Sequence, residues 1–103
     1  MGIDEKILTE ILKISSSRCW SVDTYNPVPG VILDSPSSHD YEKGFNSRLM
    51  LKDMLLAADL AEDAGINTKL ADKAREVYSK LVSSGFGKKD FSIIYEVLFN
   101  KKM

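Results

Sequence analysis

Cysteine and histidine are the scarcest reactive residues of this 103-residue chain, present once each as Cys19 and His39. A lone thiol cannot close an internal disulfide, which fits a reducing compartment. One histidine and one cysteine, with no clustered ligand spacing around them, leave no metal-binding set, so no metal is expected. A catalytic Cys-His pair would need Cys19 and His39 to meet in space. The simpler expectation is a buried thiol and a histidine on a surface loop. Neither sign of charge dominates: 14 basic and 15 acidic residues give a net charge of −1. Without a basic block, neither nucleic acid nor a membrane surface is expected as a partner. Long apolar runs are missing too, since charges interrupt them well short of the roughly 18 residues of a membrane span. The opening MGIDEKILTE lacks the basic start and apolar stretch of a signal peptide. What remains is one domain with a modest core.

Period-2 alternation is also scarce, and no segment sustains it long enough for a convincing strand. Helical spacing is plentiful. Asp4 is a good N-cap for a first helix carrying Ile7, Leu8, Ile11 and Leu12 on one face and ending near Ser15–Ser17. A second helix is predicted from about Asn46 to Ala64, with Gly65 suited to the left-handed residue after its end. A third starts at Asn67 or Thr68, places Leu70, Ala74, Val77, Tyr78, Leu81 and Val82 at helical spacing, and closes at Gly85. A fourth, short helix follows an Asp90 cap, with Phe91, Ile94, Leu98 and Phe99 facing inward. Between the first two helices, residues 18–44 show neither period, and Pro27, Pro29, Pro36, Gly30 and Gly44 rule out a continuous element. This irregular strap holds Trp20, Val22, Tyr25, Val28, Val31, Ile32 and Leu33, too much apolar surface for a disordered linker. A connection this long is expected to be functional or partly buried. The class is all-α: a compact helical bundle with a long strap laid across it.

Within the second helix, positions 49–61 are apolar except for Lys52, Asp53 and Asp59. So little polar face predicts burial on most sides, where a charge is costly unless paired or facing a polar cavity. Extending the helical phase back to Phe45 places Phe45, Leu49, Lys52, Leu56 and Asp59 or Leu60 on one stripe, with Asp53 about a quarter-turn away. One reading makes this the solvated face, with Lys52 snorkelling. The other has Lys52 reach a ligand's phosphate or carboxylate while Asp53 holds a neighbouring donor. Trp20 and Tyr25 divide in the same way, as anchors of the strap or as walls of a small-molecule pocket.

Three blocks in order carry a family resemblance: SSRCWSVDTYNPVPGV (16–31), GFNSRLMLKDMLLAADLA (44–61) and GFGKKDFSIIYEVL (85–98). Together they resemble the C-terminal domain of the 3-hydroxyisobutyrate dehydrogenases, which are β-hydroxyacid dehydrogenases related to 6-phosphogluconate dehydrogenase. The family signature K-D-[LM]-x-x-A-x-D corresponds to the run from Lys52 to Asp59, with Leu55 standing where a glycine is usual. The resemblance implies that Lys52 reaches NAD held by a preceding domain and that Asp53 joins the polar network around the catalytic groups. It also implies that Phe45 walls the nicotinamide and substrate pocket, with Trp20 and Tyr25 as further aromatic pocket residues. No catalytic residue is expected in this chain. The family's catalytic-lysine motif G-x-x-G-x-G-x-x-x-K-x-x-x-N, its D-x-P-x-S-G-G segment and a Rossmann G-x-G-x-x-G do not occur.

Residues 1–103 are therefore expected to be an excised C-terminal all-α domain, with Met1-Gly2 marking a truncation. The implied parent is an NAD-dependent enzyme of valine catabolism that oxidises 3-hydroxyisobutyrate to methylmalonate semialdehyde, with an upstream lysine as general acid-base. Relatives acting on serine or tartronate semialdehyde are the alternative. The family also implies a homo-oligomer, a dimer or tetramer, and a helical association module without a ligand role is the rival reading. Its eukaryotic members work in the mitochondrial matrix; otherwise the cytoplasm is implied.

Overall fold

The computed structural model describes residues 2–100, so Met1, with the truncation expected there, lies outside them. The order is α1 (Glu5–Lys13), a single turn α2 (Trp20–Asp23), a 3-10 turn Pro36–His39, α3 (Ser47–Asp63) and α4 (Lys69–Leu81). A π turn, Val82–Phe86, extends α4, and a 3-10 turn, Phe91–Ile93, leads into α5 (Ile94–Phe99). Among the described residues there is no strand; one antiparallel bridge joins Asn46 to Asp90. Among the described residues no helix is long and apolar enough to cross a membrane.

The caps read from the sequence form. Asp4 accepts the backbone N–H groups of Lys6 and Ile7 at 2.9 and 3.1 Å, and Asn46 accepts that of Leu49 at 2.9 Å. Each satisfies donors that a helix start leaves unpaired. Gly65 follows α3 at φ +70°, the left-handed position that favours glycine. The segment 18–44 differs from the expectation in holding two ordered turns, α2 and the 3-10 turn at Pro36.

The core is Tyr41, Tyr78, Leu81, Ile93 and Val97, with Met50, Leu51, Met54, Phe86, Phe91 and Ile94 against it. It draws on α3, α4, the C-terminal segment and one residue of the irregular segment, and leaves α1 outside. Several inward-facing expectations are corrected. Leu70 is 89% exposed, because α4 meets the core only from its middle onward, at Tyr78 and Leu81. Leu98 and Phe99 point outward, and Ile93 and Val97 fill the core instead. Nor is α3 buried on most sides: Leu49, Leu55, Leu56 and Leu60 are exposed. Its better-covered positions, Ser47, Met50, Leu51, Met54, Ala58 and Ala61, form a single stripe, so the helix packs along one side only. Cys19, expected buried, is exposed, because it precedes α2 on the surface of the irregular segment.

One stretch is held in costly geometry. Asp40, Tyr41 and Lys43 all have φ between 56° and 59°, a left-handed conformation costing on the order of 1–3 kcal/mol each outside glycine. Four hydrogen bonds help hold it. The Tyr41 N–H donates to Pro36 O at 2.7 Å, the buried Tyr41 hydroxyl donates to Pro27 O at 2.8 Å, and Lys89 Nζ donates to Asp40 Oδ2 and Glu42 Oε1 at 3.1 and 2.7 Å. This turn delivers the chain to Gly44 and Phe45.

Candidate functional site

Trp20, Tyr25 and Phe45 come together around a fourth ring, Phe91. Trp20 stacks on Tyr25 with centroids 4.6 Å apart, Tyr25 stacks on Phe91 at 5.6 Å, and Phe45 meets Phe91 edge-on at 6.2 Å. Such offset and edge contacts are favourable arrangements of aromatic quadrupoles. Trp20 ends the row 58% exposed, so it is not anchored by burial and offers indole surface outward.

Beneath the rings lies Asp90, 1% exposed. Its Oδ1 accepts the Tyr25 hydroxyl and the Phe45 N–H, the latter at 2.8 Å. Oδ2 accepts the N–H of Ser92 at 3.0 Å and the Ser92 hydroxyl. Four donors on two oxygens compensate the burial of this carboxylate without a cation. Burial and the bond to Asp90 push the Tyr25 phenol up to about 12, and burial pushes Tyr78 up to about 12 as well. A phenol that holds its proton more tightly when folded contributes stability that is complete below about pH 10 and is lost as pH rises through about 12. The Tyr78 hydroxyl donates to Phe91 O at 2.9 Å. Tyr78→Phe therefore lowers stability by about 1 kcal/mol at neutral pH, yet the variant should decline less steeply than the parent chain between pH 10 and 12. Urea melts across that range would show it; parallel declines would refute it.

Phe45 departs from its predicted stripe. It precedes the Asn46 cap instead of riding on α3, so its direction is set by Asp90 and Phe91. Lys52 and Asp53 do lie on α3, fewer than two turns (about 9 Å along the axis) past the cap. Lys52 Nζ stands 3.2 Å from Asp53 Oδ1, with the side chains 60% and 53% exposed. With Leu49 and Leu56 they form the outward side of the helix. A surface pair of this kind contributes about 0–1 kcal/mol, so Lys52 can turn to an anionic ligand at little cost.

Volume alone points elsewhere. A cleft of about 500 Å³ opens among Ser38, Tyr41, Lys89, Glu96 and Val97 and includes none of the predicted site residues. Its one cation, Lys89, is engaged by Asp40 and Glu42, whereas the aromatic wall presents an open ring face. The residue that sequence reasoning misses is Asp90, in which local pattern shows only a helix cap. It does cap the turn after it, but its contacts to Tyr25 and Phe45 span 65 and 45 residues, which no local pattern records.

This fold is that of the helical part of a hydroxyacid dehydrogenase. It superposes on a Mycobacterium tuberculosis 3-hydroxyisobutyrate dehydrogenase, solved with L-serine, with a TM-score of 0.89 and 32% identity, over 94% of this chain and 33% of that one. Residues 1–98 match the family model described as the NAD-binding domain of NADP-dependent 3-hydroxyisobutyrate dehydrogenase, and the chain belongs to that family. It is 50% identical over 102 residues to a probable mitochondrial 3-hydroxyisobutyrate dehydrogenase of Arabidopsis thaliana, covering 99% of this chain and 29% of that protein. With the mitochondrial enzyme of Mus musculus it shares 47% identity over 97 residues, 94% of this chain and 29% of that protein. The chain thus spans under a third of the length of these relatives.

Proposed function

We propose that this chain is the C-terminal, cleft-forming domain of an NAD-dependent 3-hydroxyisobutyrate dehydrogenase, acting in valine catabolism and in the mitochondrial matrix if its source is eukaryotic. The observation that carries the reading is the weakly paired, outward-facing Lys52 on the helix that the aromatic wall leads into, within a chain matched to the family over residues 1–98. The nicotinamide, when bound, supplies the hydride chemistry. Lys52 binds an anionic part of the dinucleotide, and Asp53 keeps its ammonium oriented and joins the polar network of the site. Phe45, with Trp20 and Tyr25 behind it, closes one side of the pocket against water and orients the small hydroxy acid. The general acid-base lysine belongs to the part of the enzyme outside this chain. The choice of NAD over NADP, and of 3-hydroxyisobutyrate over serine or tartronate semialdehyde, rests on the family likeness.

Lys52→Ala in the full-length dehydrogenase should raise the KM for NAD about tenfold, the equivalent of 1.4 kcal/mol, with a smaller change in kcat. Unchanged kinetics would remove Lys52 from the cofactor site. The 103-residue chain alone should show no turnover.

A second role, as an association module, is favoured by the exposed leucines at 56, 60 and 70 on α3 and α4. It is compatible with the first and predicts a homo-oligomer, a dimer or tetramer, which sedimentation of the chain would detect.

A further inference from the structure

We propose that Asp90 is the positioning residue of the aromatic wall, fixing Tyr25 and Phe45 against each other through one carboxylate oxygen. Three observations carry this. First, Tyr25 Oη and the backbone N–H of Phe45 converge on the same atom, Asp90 Oδ1. The two residues lie 20 apart in the chain, and their direct contact, the Phe45 N–H donating to Tyr25 Oη at 3.4 Å, is longer than the 2.8 Å bond Phe45 gives Asp90. Second, Asp90 is itself immobilised. Its other oxygen is held by Ser92, its N–H donates to Tyr41 O at 2.7 Å, and the next residue, Phe91, donates its N–H to Phe45 O at 2.8 Å. A side chain that rigid sets its partners and does not follow them. Third, the approach is open only because residue 44 is glycine. A Cβ there would stand 2.5 Å from Tyr25 Oη and 2.6 Å from Asp90 Cγ.

Packing alone would hold the wall differently. Tyr25 lies between Trp20 and Phe91 in a near-parallel stack, at interplanar angles of 20° and 15°, and stacked rings slide over one another with little resistance. One hydroxyl bonded to a buried carboxylate removes that freedom. It fixes how far Trp20, the exposed end of the row, projects. The role of Asp90 in setting the wall stands on these contacts; its bearing on substrate rests on the function proposed above.

Trp20 is the chain's single tryptophan, so one indole N–H signal in a proton–nitrogen correlation spectrum reports on the stack through the ring current of residue 25. Tyr25→Phe keeps the ring and deletes the link to Asp90, together with the longer Phe45 N–H contact to the same hydroxyl at 3.4 Å, whereas Asp90→Asn keeps the shape and removes the charge. Both variants should move the indole signal toward its unstacked position. The double variant should move it no further than the larger of the two single shifts, because both substitutions weaken the same Tyr25–Asp90 link. An indole signal unmoved in Tyr25→Phe, or single shifts that simply add, would overturn the assignment. If Asp90→Asn does not fold, Tyr25→Phe decides alone. Placed in the full-length dehydrogenase, Tyr25→Phe should raise the KM for the hydroxy acid roughly tenfold. A moved indole signal with unchanged kinetics would leave Asp90 as the residue that sets the wall and sink the reading of that wall as a substrate pocket.

Discussion

Gly44→Ala should cost this chain about 3–5 kcal/mol, enough to leave a domain of this size barely folded at room temperature. The strain is not one of dihedral angle, because Gly44 is not among the positive-φ glycines. It is a matter of room. The added methyl falls on Asp90 Oδ1, with Tyr25 Oη 2.5 Å away, and neither can retreat freely. Moving Asp90 breaks bonds to Ser92 and Phe45 and leaves a buried carboxylate short of donors, which is the expensive outcome. Moving the Gly44 backbone instead disturbs the left-handed turn at Asp40–Lys43 that precedes it. Overpacking alone costs about 1–3 kcal/mol, and the loss of charge-assisted bonds supplies the rest. At about 4–8 °C per kcal/mol for a domain of this length, the midpoint should fall by more than 10 °C in a thermal melt. A drop under about 4 °C would mean that the Asp90 junction yields easily, and Asp90 would then lose its standing as a rigid reference for the wall.

How much of this junction was legible in the sequence follows from the range of its contacts. The caps at Asp4 and Asn46 and the stop at Gly65 act within four residues, so local pattern contains them. The pairing of Tyr25 with Asp90 acts across 65 residues, and nothing in the composition of either neighbourhood encodes it. The grouping of Trp20, Tyr25 and Phe45 was reached only through likeness to a family, in which the blocks around them recur in order. Phe45 shows the limit of periodicity most plainly. Its phase agreed with Lys52 and Leu56, yet the cap at Asn46 had already ended the helix, so the agreement carried no geometry.

The second large effect separates two leucines that the sequence treats alike. Leu70 and Leu81 share the same helical pattern, but Leu81 is 0% exposed while Leu70 is almost fully exposed. Leu81→Ala should therefore cost about 2–5 kcal/mol, from lost transfer energy and from the cavity left beside Tyr78, Ile93 and Val97. Leu70→Ala should stay within about 0.5 kcal/mol in the isolated chain, since it deletes no buried contact and alanine favours a helix. Chemical denaturation of both variants would measure the difference. The exposed leucine becomes informative when the same substitution is made in the full-length protein. If Leu70→Ala costs little there too, the outer side of α4 meets water in the full-length protein. A cost above about 1 kcal/mol would mean that a domain or a second subunit covers it, and would make Leu70 part of a buried interface. Periodicity marks a helix position as apolar; only the neighbour it meets makes that position core.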